Sequence, residues 1–255
     1  MESTDRFGYE WDTFREIIPE YERQFLKWVS PLQKEDFKNL SILDAGCGIG
    51  RNSYWPLLYG ANRVIALDVD PRTVAVAKKN LAAFSQAQVE QKSIYEIGHE
   101  NSVDLAYAIG VMHHIENPDA AIRQMVASLK PGGKILLWVY GREGNGWIVA
   151  CVNPLRKILS RLPIFFTVFF SYVFAIPWYL YVKLVPQSHP YFKQWSGFRF
   201  WHIRSIILDQ LLPRIAHYWT KEEALSLLQN KGLVSLTASH VNNNSWTVTG
   251  IKQSA

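Results

Sequence analysis

Apolar residues recur along this chain in two rhythms. From Leu40 onward short apolar runs alternate with stretches of helical spacing, the pattern of a parallel sheet with helices on both faces. Residues 41–44 read as a strand that breaks into Ala45-Gly46-Cys47-Gly48-Ile49-Gly50, and a helix over 51–59 stops at Gly60. A second strand, 63–67, closes on Asp68; Pro71 then stands where a helix begins, and 73–84 keeps helical spacing. Residues 89–94 and 103–109 supply the third and fourth strands. Asn117-Pro118-Asp119 caps a helix expected to end near Leu129, before Pro131-Gly132-Gly133, and 134–140 is an apolar fifth strand. After a long interruption, Thr220-Lys221-Glu222-Glu223 is a capping box for a helix that stops at Gly232. Strands over 233–241 and 246–251, joined by Asn242-Asn243-Asn244, close the pattern.

The expected organisation is a helical cap over 1–40, a core over 41–140 and 220–255, and an insertion over 141–219 that is far longer than an ordinary loop. Charge separates the insertion from the rest. It holds nine Lys/Arg against Glu143 and Asp209, so it carries +7 while the remainder of this +5 chain carries −2. Two cysteines, Cys47 and Cys151, make no disulfide framework or CxxC pair, and the polar N-terminus is unlike a secretory signal. Both features lead to the expectation of a cytoplasmic protein.

The densest chemical signal is Asp44-Ala45-Gly46-Cys47-Gly48-Ile49-Gly50 at the end of the first strand. Glycines there allow a tight turn and close approach of backbone to a ligand beside the start of a helix. Asp68 ends the next strand about twenty residues on, where a carboxylate can accept both hydroxyls of a nucleoside ribose. With these residues the chain resembles the class I S-adenosylmethionine-dependent methyltransferases over roughly 41–140 and 220–252. The GxGxxG spacing of nicotinamide enzymes is absent.

The resemblance implies an α/β, doubly wound, Rossmann-like seven-stranded methyltransferase sheet with the N-terminal cap and a mainly helical insertion after the fifth strand. It implies S-adenosyl-L-methionine as cofactor. Asp44, Gly46, Cys47, Gly48, Gly50 and Gly110 would surround it, with Asp68 on the ribose hydroxyls and Val69 against the adenine. Many relatives carry an acid after the third strand that holds the adenine amino group. Here Ser93, followed by Ile94, stands at that position, so weaker cofactor binding is expected, not loss.

Ile109-Gly110-Val111-Met112-His113-His114 follows the fourth strand, without the Asn/Asp-Pro-Pro-aromatic run of base-modifying amino-methyltransferases. That argues against a nucleic-acid substrate. His113 or His114 is a candidate general base, or the pair caps the following loop. His217 and Tyr218, in His217-Tyr218-Trp219 before the last helix, are candidates for substrate contact or for ordinary packing. Phe7-Gly8-Tyr9-Glu10-Trp11 either closes over the cofactor or staples a helix start. No metal site is expected, because the histidines have no third ligand at a useful spacing.

Residues 147–219 hold 18 of the chain's 35 aromatics, and 162–182 is almost uninterrupted apolar sequence. Its length of about twenty residues is that of a membrane span. A single crossing conflicts with the two last strands having to rejoin the first five. Pro163 and Pro177 are also expected to interrupt a straight helix. The alternatives are an interfacial or re-entrant element at the inner membrane face, a lid over the pocket, and a homodimer contact. The function expected is O-methylation of a hydrophobic, lipid-linked or glycan-pathway acceptor. A soluble small-molecule methyltransferase and a non-catalytic cofactor-binding scaffold are the competing readings.

Overall fold

The computed structural model describes residues 6–9, 13–186, 188, 193 and 195–254. In chain order its longer elements are α1 (Glu20–Trp28), β1 (Ser41–Ala45), α2 (Arg51–Leu58), β2 (Arg63–Asp68), α3 (Pro71–Asn80), β3 (Ala87–Gln91), β4 (Val103–Ile109), α4 (Pro118–Ser128) and β5 (Leu129–Tyr140). There follow α5 (Asn153–Leu159), α6 (Ile164–Leu184), α7 (Phe200–Leu211), α8 (Lys221–Ser226), β6 (Leu233–Val241) and β7 (Ser245–Lys252). Two compact units result, one of Arg15–Gly144 with Ala216–Ala255, the other of Met1–Phe14 with Asn145–Ile215.

The larger unit is a seven-stranded sheet in the order β3-β2-β1-β4-β5-β7-β6. The first five strands are parallel, and β7 runs antiparallel to both β5 and β6. Successive residues of a strand face opposite sides. Accordingly Leu43, Ile65 and Ala106 join the core on one face, while Ile42, Val64 and Leu105 join the core on the other. Burial on both faces explains why these strands read as continuous apolar runs. The strand order reverses between β1 and β4, so the loops at their carboxyl ends diverge and open a crevice there, where ligands of doubly wound sheets bind.

Several boundaries differ from the sequence expectation. The third strand ends at Gln91, not 94, because its neighbour β2 ends at Asp68, whose carbonyl takes the last rung of the ladder from the Lys92 N–H at 2.8 Å. The fifth begins at Leu129 and runs through Pro131-Gly132-Gly133. Leu129 pairs with Val103 across a register shift, which tolerates a residue without an N–H. α8 keeps its capping box, Thr220 with Glu223, but stops at Ser226.

The β6–β7 turn places Asn242 and Asn243 at φ 51° and 57°, the left-handed pair that matches strand twist in a tight hairpin. Gly144 packs on that turn with φ +77°, and a Cβ on it would lie 1.8 Å from the Asn243 carbonyl oxygen. Gly144→Ala should therefore cost about 2–3 kcal/mol, combining a left-handed penalty with an unavoidable backbone clash. Thermal unfolding checks this against Gly146→Ala, whose added Cβ would meet nothing within 4 Å. Equal melting points for the two variants would sink the prediction.

The smaller unit is helical. Residues 6–9 form one turn, from which Arg6 reaches the end of α5: its guanidinium donates to the carbonyls of Leu159 and Leu162 and to Thr167 Oγ1, the last at 3.1 Å. These carbonyls at and just beyond the end of a helix want a cation. Burial, then the nearby Arg214, hold the Arg6 pKa below its usual value. α6 starts after Pro163 and continues through Pro177, which therefore does not interrupt it. Val173, four residues before Pro177, is exposed, so its carbonyl can turn to solvent when the proline offers no N–H. Trp11 lies outside the described residues.

Candidate functional site: a glycine turn and an aromatic–histidine cluster

β1 delivers the chain into the crevice at Asp44 and Ala45, and the turn that follows is held from below. The N–H groups of Gly46 and Cys47 both donate to the Leu67 carbonyl at 2.8 Å. Asn80 Nδ2 donates to the Ile49 carbonyl at 2.9 Å. Gly46 has φ +84°, and a Cβ there would stand 2.5 Å from Val111 Cγ2, so only glycine lets the β1 turn lie against the loop after β4. Gly48 and Gly50 are also left-handed, with φ +55° and +80°. The Cys47 thiol is buried and its pKa raised by burial, then by Asp44 and Asp68. With its N–H occupied, Cys47 shapes the turn and offers a ligand no donor.

Asp68 ends β2 beside this turn. Its Oδ2 accepts the Gly48 N–H at 3.0 Å and its Oδ1 the Asp70 N–H at 3.1 Å. Each carboxylate oxygen keeps a further lone pair, enough for two ribose hydroxyls. Burial raises the Asp68 pKa against these backbone bonds. Asp44 is fully buried. Ser53 Oγ donates to its Oδ2 at 2.6 Å, while its Oδ1 is buried with no hydrogen-bond partner among the described residues. Burial, reinforced by Asp68, pushes the Asp44 pKa up to about 7 despite Ser53 and Arg51. A buried carboxyl with one unused oxygen beside a glycine turn suits a cationic cofactor carrying hydrogen-bond donors.

The remaining cofactor candidates are placed as follows. Val69 is 48% exposed and can receive a flat ring. Ser93 Oγ accepts the Tyr95 N–H at 3.2 Å, so the serine organises its own loop, and Ile94 packs on the core. Gly110 has φ +81° and donates its N–H to the Trp138 carbonyl at 3.3 Å.

The loop after β4 winds into a turn over Met112–His114 and meets the end of β5. The buried His113 ring stacks on Tyr140 with centroids 3.6 Å apart. His114 stands edge-on to His113 at 4.2 Å and to Tyr140 at 5.6 Å. Tyr218 also stacks on Tyr140, with centroids 5.5 Å apart. His217 enters only through its backbone, whose N–H donates to the His113 carbonyl at 2.9 Å; its side chain is exposed. Thus His113, His114 and Tyr218 come together and the His217 ring does not join them. Tyr140, and Trp138 two residues before it, complete the cluster. Sequence reading passed over both because an aromatic in an apolar strand reads as core, although two such residues at i and i+2 share a face. Among the described residues no group of three or more His, Cys, Asp or Glu could hold a metal ion.

Residues 43–137 match the profile of a methyltransferase-domain family. A ubiquinone biosynthesis O-methyltransferase of Dechloromonas aromatica is 27% identical over 158 residues, 60% of this chain and 66% of that protein. The matched region spans between 27% and 66% of the length of the first curated relatives. Human N-acetylserotonin methyltransferase, solved with S-adenosylmethionine, superposes with a TM-score of 0.58 at 14% identity, covering 99% of this chain and 57% of that one. Magnesium protoporphyrin IX methyltransferase of Synechocystis, solved with S-adenosylhomocysteine, gives 0.57 at 14% identity, covering 98% and 94%. The sheet order, the glycine turn with its two aspartates, and the family match converge: residues 43–137 are a methyltransferase domain, on a sheet with the fold of S-adenosylmethionine-dependent methyltransferases.

Proposed function

We propose that the chain transfers a methyl group from S-adenosylmethionine to an oxygen of a hydrophobic acceptor, lipid-linked or from a glycan pathway. The observation that carries this reading is the aromatic–histidine cluster at the ends of β4 and β5, strands that lie across the crevice from the glycine turn of β1. The likeness to ubiquinone biosynthesis O-methyltransferases supports oxygen as the acceptor atom. Aromatic walls support an apolar acceptor.

When bound, the cofactor supplies a methyl made electrophilic by its sulfonium. The chain's own contribution is to position and to exclude water. Gly46 and Gly48 let the turn approach the cofactor, Asp68 accepts its ribose hydroxyls, Val69 covers its adenine, and Asp44 offers a carboxylate beneath its charged end. His114, half-buried at the edge of the cluster, takes the proton of the acceptor hydroxyl. The cofactor would supply the methyl, its carbon–sulfur bond breaking as the oxygen–carbon bond forms, with S-adenosylhomocysteine as the co-product. His113, fully buried and stacked on Tyr140, positions His114 and is not itself the base.

His114→Gln should lower kcat about 100-fold with unchanged S-adenosylhomocysteine affinity, and raising the pH should restore part of the rate with a phenolic acceptor. An unchanged kcat would remove His114 from the mechanism. The function is tested with methyl-labelled S-adenosylmethionine and fractionated cell extract. Label in an organic-soluble product is expected. Label confined to water-soluble metabolites would sink the hydrophobic acceptor, and cofactor binding with no transfer to any fraction would leave a non-catalytic binding protein.

A further inference from the structure

α6 is built inside out. Phe165, Phe169, Val173, Ile176, Leu180 and Leu184 follow one another at steps of three and four, so they form one face, and each is between 43% and 76% exposed. On the opposite face Thr167, Ser171, Ala175 and Val182 are buried. Behind that face lie two buried arginines: Arg6, bonded to Thr167 Oγ1, and Arg204, whose guanidinium sits 4.0 Å from the centre of the Tyr172 ring. A helix on a water-soluble surface does the reverse, hiding its large apolar side chains and showing its hydroxyls. Small and hydroxylated residues inward, with bulky apolar residues outward, is the order that suits a hydrocarbon exterior.

Length and composition agree. α6 has 21 residues, and its most apolar stretch of 18 has a mean hydropathy of 1.6 and is only 17% buried. Its surroundings select the occupant. Residues 145–215 carry eight Lys/Arg against Asp209 alone, and Lys157, Arg161 and Lys183, at or just before the ends of α6, are exposed. A second copy of the same face would bring like charges together, whereas anionic headgroups would neutralise them. Trp147, Tyr181 and Trp201 are also exposed, and such rings settle at headgroup depth. We propose that the outward face of α6 beds into the acyl layer of an anionic bilayer, with the flanking lysines and arginines on the headgroups. This goes beyond methyl transfer and does not depend on it.

The full-length protein is floated with vesicles of phosphatidylcholine alone and of phosphatidylcholine with phosphatidylglycerol. Partition onto the mixed vesicles is expected. A Phe169→Ser, Ile176→Ser, Leu180→Ser variant should lose it about tenfold or more, and each of Lys157→Gln and Arg161→Gln should lower it about five-fold. The exposed positions of the triple variant leave the helical packing untouched, which circular dichroism checks. Brominated acyl chains should quench the tryptophan fluorescence of the unaltered protein, a reading independent of any variant. Absent flotation, absent quenching, equal partition onto neutral vesicles, or a triple variant that floats like the parent would each overturn the proposal. A parent dimer that the triple variant converts to monomer, without flotation in either, would give the face to a second copy and overturn it as well.

Discussion

Asp68→Ala is expected to weaken S-adenosylhomocysteine binding by about 10²–10⁴-fold, since each hydrogen bond to an ionised group contributes about 1.5–3 kcal/mol and two are lost. The same carboxylate also fixes the glycine turn proposed to hold the cofactor, through the N–H groups of Gly48 and Asp70. Asp68→Asn separates these roles. It keeps one acceptor oxygen for a hydroxyl or for Gly48 but loses the charge and the second acceptor, so its affinity should fall between parent and Asp68→Ala. Isothermal titration supplies the constants, and the melting point shows whether the sheet survives. A loss below tenfold for Asp68→Ala, with the fold intact, would mean that the ribose is held elsewhere.

The second large effect is on stability. Asp44 has a folded-state pKa of about 7, raised from 3.8 chiefly by burial. Between those values the folded protein holds a proton that the unfolded chain has released, so stability falls as pH rises through this window and levels off above it. Three pKa units correspond to about 4 kcal/mol as an upper figure. Asn at this position cannot ionise. Asp44→Asn should therefore match the parent near pH 4 and exceed it increasingly toward pH 8, by up to about 4 kcal/mol. Asp68 is raised in the same direction and adds to the shift of Asp44, so the difference between the two proteins reports Asp44 together with its coupling to Asp68. Denaturant unfolding at several pH values measures it, and a pH-independent difference would refute the account. A carboxyl kept at such a cost fits the role proposed for Asp44 beneath the charged end of the cofactor.

The parallel core was legible because its strands are apolar on both faces and their ends are punctuated. Val103–Ile109 and Leu233–Val241 stand where the pattern put them. The start of β5 was not, since Pro131-Gly132-Gly133 is ordinarily a stop and only the pairing of Leu129 with Val103 makes it strand. Asp44, the glycines and Asp68 were found through their spacing, because a backbone turn at a strand end needs those residue types locally. The aromatic–histidine cluster proposed to face the acceptor was only half visible. His113 and His114 drew notice as a polar interruption, while Tyr140 joins them through a stacking contact between the ends of neighbouring β4 and β5, which no local pattern encodes. The orientation of α6 was hidden for a different reason: a helix apolar nearly all round has no face that composition can choose, and the buried face is marked by Thr167, bonded to Arg6, and by the buried Ser171.

The position of β7 in the chain also has a kinetic consequence. β5 ends at Tyr140, and its partner begins only at Ser245. On a ribosome adding residues at about 5–20 per second, the β5 edge waits on the order of 5–20 s for its neighbour. For that interval a strand with Ile135, Leu136, Leu137 and Val139 presents open backbone groups, the hazard of any unprotected edge. The apolar α6 emerges within the same interval. The order of synthesis thus exposes the chain's two stickiest surfaces together, so the nascent chain should be a strong client for chaperones or lipid before its sheet is closed.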